Sequence, residues 1–349
     1  HSLWQESSNK FILNGGLVNE NNHQEIQLID CYLYPNNDKK LDGIVKFDLE
    51  LTTPACPVKD QLKAEAEAAV LDLDFVSQVT INLTANVKTS LPPSNKLGGN
   101  VKNVIAVTSG KGGVGKSTCT VNIATALAAT GAKVGILDAD VYGPNIPVMM
   151  GATRRPEGKG KTLYPVKEHG VKTMSVGYLI EDGQPVMWRG PMLHRALEQF
   201  LQDVEWGELD YLLIDMPPGT GDAQLSVAQL VPLTGIVVVT MPQEVSLTDV
   251  RRAMGMAVEV KTPVLGVIEN MTGEMFGKGG GEQIANAFDA PFLGSVPLQV
   301  ELRKGGDAGV PTFVSDSDGP IGTIFSDIAG KIAAEVSKRQ DSVLPILEV

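Results

Sequence analysis

Gly110-Lys111-Gly112-Gly113-Val114-Gly115-Lys116-Ser117-Thr118 stands between an apolar run and a helical pattern. Ahead of it, Asn103-Val-Ile-Ala-Val-Thr108 has the continuous apolar character of a strand buried on both faces in a parallel sheet. Behind it, Val121, Ala124, Thr125, Leu127 and Ala128 recur at helical spacing, and Gly131 supplies a C-terminal stop. Gly110, Gly115, Lys116 and Ser117 occupy the fixed positions of G-x-x-x-x-G-K-[ST]. Strand, glycine loop and helix N-terminus together aim backbone N–H groups and the positive end of the helix dipole at a polyphosphate. Residues 110–118 are therefore expected to bind ATP through the loop. Lys116 is expected to reach the β- and γ-phosphates, and the Ser117 hydroxyl to ligate Mg²⁺. A glycine-rich turn with chance lysines is the competing reading, and the flanking strand and helix argue against it.

Working outward, residues 133–137, 211–214, 236–240 and 264–268 are further apolar strand candidates, with helical patterns after most of them. Ile321, Phe325, Ile328, Ile332 and Val336 mark a closing amphipathic helix. This alternation predicts an α/β fold, a doubly wound, mainly parallel sheet with its ligand at the carboxyl ends of the strands. Toward the N-terminus, Ser90-Leu-Pro-Pro-Ser-Asn-Lys-Leu-Gly-Gly-Asn100 breaks the periodicity as a linker does. The expected organisation is a small α+β domain over 1–90, a linker over 91–101 and the nucleotide-binding domain over 102–349. Within the small domain, Val45, Phe47, Leu49 and Leu51 alternate with polar residues, as do Val79, Ile81 and Leu83. Between those strands, Pro57 is expected to open a helix with Leu62, Ala66, Ala69, Val70 and Leu73 on one face. A further strand is expected near residues 26–33.

The chain has 349 residues, with 29 basic and 41 acidic side chains and a net charge of −12. That balance disfavours sequence-independent nucleic-acid binding, which depends on basic groups neutralising phosphates. No apolar run is long enough to predict a membrane span, and the first residues lack the basic flank and apolar core of a secretory signal. Cys31, Cys56 and Cys119 are odd in number and widely spaced, which argues for a reducing compartment, with the cytoplasm as the default.

Two strand ends near the loop carry carboxylates. Asp138 and Asp140 follow the strand at 134–137, and Asp215 closes Tyr211-Leu-Leu-Ile-Asp215-Met-Pro-Pro-Gly219-Thr-Gly-Asp222. A carboxylate there can orient an attacking water or accept from Mg²⁺-bound water. The Gly219 N–H can approach a γ-phosphate, which lets its loop register whether that phosphate is present. Two aspartates capping a turn remain the alternative for 138 and 140. Asn270 ends the strand at 264–268, and its amide suits the edge of adenine, although a turn asparagine is also common.

The loop with its second lysine, Lys111, resembles the deviant phosphate loops of the family that includes MinD, ParA, the nitrogenase iron protein and the Mrp/ApbC iron–sulfur carriers. Trp188-Arg-Gly-Pro-Met192, Trp206-Gly-Glu-Leu-Asp-Tyr211, the 216–222 loop and Gly305-Gly-Asp-Ala-Gly-Val-Pro311 look like the Mrp/ApbC branch. Thr52-Thr-Pro-Ala-Cys56-Pro57 resembles the signature of a small domain that serves in iron–sulfur assembly. The resemblance implies a slow Mg-ATPase acting as a homodimer that carries an iron–sulfur cluster to apoprotein clients; composition and the poorly basic tail at 337–349 give the expectation of no nucleic acid or membrane partner. It implies Lys111 acting on the facing subunit's phosphate, Asp140 placing water, Asp138 supporting the magnesium shell and Asn270 reading the base. Many members carry Cys-x-x-Cys soon after the segment matching Glu269-Asn-Met271, whereas this chain reads Thr272-Gly-Glu-Met-Phe-Gly-Lys-Gly-Gly-Gly281. A cluster held there by thiolates is ruled out. Cys56, between prolines at a helix start, is the candidate ligand that remains, with an inert core cysteine as the alternative. Packing is the expectation for Cys31 and Cys119. A nucleotide-switched scaffold that holds no cluster is the rival reading, and a positioning ATPase like MinD or ParA is a third.

Overall fold

The computed structural model describes residues 2–6, 10–14, 27–34, 43–73, 76–92, 97–179, 190–219, 222–259 and 261–341. Contacts divide the chain into two compact units, His1–Lys88 with Ser337–Val349, and Thr89–Val336.

The first unit runs β1 (Ser2–Glu6), β2 (Lys10–Asn14), β3 (Gln27–Tyr34), β4 (Gly43–Leu51), α1 (Lys59–Leu71) and β5 (Val76–Ala85). Its strands form one sheet in the order β1-β2-β3-β4-β5. Pairing is antiparallel up to β4, and β4 pairs β5 in parallel, the arrangement that needs a crossover, here α1. Alternation in β4 buries Val45, Phe47, Leu49 and Leu51 together. Leu62, Ala66 and Val70, spaced by four, bury one stripe of α1 in the same core. Ala69 is exposed and Leu73 lies past the helix end, so the buried face is narrower than expected. Pro57 precedes the helix by two residues, and Val58 is its N-cap.

The second unit continues with β6 (Gly99–Val101), β7 (Val104–Ser109), α2 (Lys116–Ala129), β8 (Val134–Asp138), α3 (Ile146–Met149), β9 (Glu157–Lys159), β10 (Thr162–Tyr164), β11 (Val166–Glu168) and β12 (Val171–Ser175). Then come α4 (Gly190–Gln202), β13 (Gly207–Leu209), β14 (Tyr211–Asp215), α5 (Asp222–Leu230), β15 (Gly235–Thr240), α6 (Glu244–Glu259) and β16 (Val264–Thr272). The chain closes with α7 (Gly280–Ala287), β17 (Phe292–Pro297), α8 (Val300–Ala308), α9 (Thr312–Ser315) and α10 (Pro320–Asp341).

Eight strands form the central sheet in the order β11-β12-β8-β14-β7-β15-β16-β17, parallel throughout except for β11. Every residue of β7, β8, β14 and β15 is buried, the physical reason for their unbroken apolar runs. The four further strands read from sequence are β8, β14, β15 and β16. The β17 and β11–β12 segments escape the pattern because Gly294 and Pro297 interrupt the first and the second is a short polar hairpin. Ile321, Phe325, Ile328, Ile332 and Val336 are all buried along α10. Of the stretch read as a linker, residues 93–96 lie outside the described residues, and 99–101 pair with β13 as β6. Trp188, Arg189, Thr220, Gly221, residues 342–349 and the Cys31 side chain also lie outside them. Among the described residues, no helix is long and apolar enough to cross a membrane.

Candidate functional site

The turn from β7 to α2 leaves the sheet at the carboxyl end of β7, which lies between β14 and β15. Gly115 is the N-cap of α2 and holds φ at 82°, and Gly113 holds φ at 80°, both in the left-handed region where a side chain is strained. Gly112 and Gly113 are exposed, so backbone at the loop crest is open to a ligand. Gly110 has a different reason to be glycine, because a Cβ there would lie 2.5 Å from the backbone of Asp249 on α6. The loop is braced from within by Ser109 Oγ donating to the Lys111 carbonyl at 3.0 Å. It is braced from β16 by Asn270 Nδ2 donating to the buried Val114 carbonyl at 2.8 Å. Lys111 is half-buried, and its ammonium has no partner among the described residues.

Below the loop, Asp215 at the end of β14 is 1% exposed and collects three donors. Lys116 Nζ lies 2.7 Å from Oδ2, Ser117 Oγ donates to Oδ2 at 2.6 Å, and Thr120 Oγ1 donates to Oδ1 at 2.7 Å. The end of β8 works differently. Asp138 is fully buried and accepts from Ser175 Oγ at 2.9 Å, from the Asp140 N–H at 3.2 Å and from the Ile146 N–H at 3.3 Å. Burial, reinforced by the Asp215 carboxylate, pushes the Asp138 carboxyl above the usual carboxylate range. Its oxygens organise the loop that presents Asp140. Asp140 itself is half-exposed, and partial burial raises its carboxyl against the opposing pull of Lys116.

A cleft of about 470 Å³ opens over these groups. Gly112, Gly113, Gly115, Lys116, Ser117, Thr118, Asp140 and Asn270 line it. Gly110, Lys111, Val114, Asp138, Asp215 and Gly219 are not among its lining residues, although Pro218, the neighbour of Gly219, is. Gly219 has φ at 95°, and its N–H donates to the Ser109 carbonyl at 3.2 Å. Sequence reasoning missed the far wall, where Met271, Pro297, Leu298 and Leu302 give an apolar floor beside Asn270 and Arg303. It also missed Thr120, whose place one turn after Lys116 on the inward face of α2 was the available signal. The donor set suits a polyphosphate with a hard cation: open backbone N–H groups, one ammonium, one hydroxyl and carboxylate oxygen nearby.

Neither cysteine with a described side chain lies at this cleft surface. Cys56 is 3% exposed within the core of the small unit. Cys119 is fully buried on α2, and burial pushes its thiol up to about 12, with Asp215 adding to the shift. In the segment read from sequence as lacking the cysteine pair, Gly273 and Gly277 exchange backbone hydrogen bonds and close a tight turn that leaves Met275 exposed. Glu269 holds the base of that turn, accepting from the Gly279 N–H at 3.0 Å and the Gly281 N–H at 2.8 Å. His169 bonds the Gly309 carbonyl, and among the described residues no group of His, Cys, Asp and Glu forms a metal cage.

A glycine loop at a helix N-terminus, with its lysine and hydroxyl gathered on a buried strand-end aspartate in a mainly parallel sheet, defines a P-loop nucleotide-binding protein. The chain belongs to the NUBPL iron-transfer P-loop NTPase family, whose model matches residues 100–333. A second model, described as iron–sulfur cluster assembly protein, matches residues 39–82. The chain is 48% identical over 313 residues to the iron–sulfur cluster carrier protein of Synechocystis sp., covering 84% of this chain and 88% of that one. It is 45% identical over 290 residues to the protein of that name in Escherichia coli, covering 79% of each. Among solved structures, a nucleotide-binding protein from Archaeoglobus fulgidus in complex with ADP matches with 38% identity and a TM-score of 0.56, over 64% of this chain and 91% of that one. The septum site-determining protein MinD of Pyrococcus horikoshii with Mg-ADP matches at 23% identity and a TM-score of 0.52, over 65% of this chain and 94% of that one, which speaks to the fold.

Proposed function

We propose that this chain is a Mg²⁺-dependent ATPase that works as a homodimeric iron–sulfur cluster carrier, delivering clusters to apoprotein clients in the cytoplasm. The observation that supports the ATPase half best is Lys116, Ser117 and Thr120 gathered on buried Asp215 beneath an open glycine loop. Lys116 leaves Asp215 to neutralise β- and γ-phosphate charge, while the N–H groups of residues 112–118 hold the phosphates. Ser117 would ligate Mg²⁺ directly, and Asp215 would hold it through water, an arrangement that suits a cation reluctant to shed its hydration. Bound there, the metal supplies electrostatic stabilisation of the charge that develops on the phosphates. Asp140 orients the attacking water, held in position by the Asp138 tether. Asn270, its nitrogen engaged with Val114, offers its oxygen to the base amino group, against the apolar floor of Met271 and Leu298. The Lys111 ammonium has no partner among the described residues, and a phosphate on a facing subunit is the role proposed for it.

The carrier half rests on the relatives' names and on the two family models, and the cluster is cargo. The site that would hold it is open, because residues 272–281 contain no cysteine and Cys56 would have to leave its core to serve. That same observation favours a second reading, a nucleotide-switched scaffold that binds clients and holds no cluster. Calorimetry with Mg-ATP tests the common core, and the absence of saturable binding overturns it. Anaerobic reconstitution with iron counting separates the two readings. A stable cluster lost on Cys56→Ser supports the carrier, and no cluster under any condition supports the scaffold.

A further inference from the structure

The segment after β14 runs alongside β7 and is tied to it by backbone. Met216 N–H donates to the Val107 carbonyl at 3.0 Å and Gly219 N–H to the Ser109 carbonyl at 3.2 Å. Between these two ties stand Pro217 and Pro218, which have no N–H to give. Gln224, on the first turn of α5 and 1% exposed, fills that gap. Its Nε2 donates one hydrogen to the Pro217 carbonyl at 2.7 Å and one to Thr108 Oγ1 at 2.8 Å. The carbonyl fixes the amide orientation, since only a donor can face it. The other end of the amide, Oε1, is buried with no partner among the described residues. An amide that donates twice at this gap ties β7 to a proline segment that has no N–H groups of its own.

We propose that Gln224 is a positioning residue that pins the base of the 216–219 loop to β7, so that Gly219 alone swings when a γ-phosphate arrives. With Pro217 held, the left-handed Gly219 is the hinge, and its long bond to Ser109 is the one to break. Displacement of the Gly219 N–H from Ser109 toward the phosphate then becomes a local event with a defined geometry. Without the pin, the whole Pro217–Pro218 segment drifts, and phosphate occupancy no longer sets the loop's position. The inference rests on the proposed nucleotide site together with the sequence reading that the Gly219 N–H can approach a γ-phosphate.

Fluorescent ADP and a slowly hydrolysed fluorescent ATP analogue, each with Mg²⁺, test it on the full chain. Gln224→Met keeps the length and removes both donors. It is expected to leave ADP affinity within about twofold, to lower the analogue-to-ADP affinity ratio, and to lower kcat roughly ten- to hundredfold with a raised KM for ATP. Thr108→Val, which removes only the β7 end of the pin, is expected to shift the same ratio partway and serves if the methionine variant fails to fold. A folded variant with wild-type discrimination and kcat overturns the role of Gln224 alone. Wild-type protein that binds neither nucleotide overturns the nucleotide reading, and this inference with it.

Discussion

Lys116 and Asp215 are paired at the junction of α2 and β14, Asp215 buried and Lys116 nearly so at the cleft wall. Removing the ammonium by Lys116→Ala leaves a buried carboxylate with only the Ser117 and Thr120 hydroxyls. The expected loss is about 3 kcal/mol of unfolding free energy in urea, together with loss of measurable ATP binding. A purely solvated lysine would give the second effect without the first, so unchanged urea stability sinks the pairing. Tyr178 offers a pH-dependent counterpart away from the cleft. Its hydroxyl lies 2.5 Å from Thr173 Oγ1, and burial pushes it up to about 12. The folded chain therefore keeps a proton that the unfolded chain releases above roughly pH 10. The associated stability is complete below that pH and falls as pH rises toward 12. Urea midpoints should decline across this window in wild type and decline less in Tyr178→Phe, and equal slopes would refute the shift. Nothing in the sequence marks Tyr178 or Gln224, because a polar residue on a buried face declares itself only when the partner strand is in place.

The elements that were legible are those whose environment is uniform. The interior strands β7, β8, β14 and β15 have both faces covered, so burial writes an unbroken apolar run; α2 follows a loop that its flanking strand and helix separate from a chance turn. Edge elements obey mixed demands. The β17 strand carries Gly294, with φ at 152°, and ends in Pro297, and its last residues help form the cleft floor. The 272–281 segment is legible only as an absence of cysteine, whereas its shape comes from Glu269. That carboxylate, 1% exposed, accepts two backbone N–H groups at the start of α7 and the Ser295 hydroxyl at 3.3 Å. It satisfies orphan donors and meets the positive end of the α7 dipole. Glu269→Ala is expected to destabilise the unit by about 1–3 kcal/mol and to speed amide exchange in residues 277–287 ahead of the sheet. Exchange accelerated equally in β7 and α7 would mean that Glu269 supports the core at large instead of this helix start.

On the scale of the molecule, parallel strands place every loop after a strand at one edge of the sheet, and several exposed apolar side chains stand in those segments, while others such as Val258 and Phe288 stand at helix ends elsewhere. Tyr142 comes after β8, Val245 after β15 and Met275 after β16, exposed by 64%, 71% and 74%. Leu298 and Val300 follow β17 at the same edge and are also exposed. Apolar groups gathered around a nucleotide cleft, in a chain of net charge −12 that would otherwise repel its copies, suit a partner that covers the cleft. In the proposed function that partner is a second copy, with Lys111 crossing to its phosphate. Sedimentation velocity with a slowly hydrolysed ATP analogue and Mg²⁺ should then show a dimer that ADP does not support. Val245→Glu combined with Met275→Glu adds like charges to a face meeting its own image, and should weaken that dimer by at least about tenfold. ADP affinity of the monomer should stay within about twofold, since neither side chain lines the cleft. Lys111→Ala should lose the analogue-dependent dimer while keeping ADP binding. If the glutamate pair leaves the dimer intact while Lys111→Ala abolishes it, the copies meet through phosphate contacts alone and the apolar edge faces some other protein.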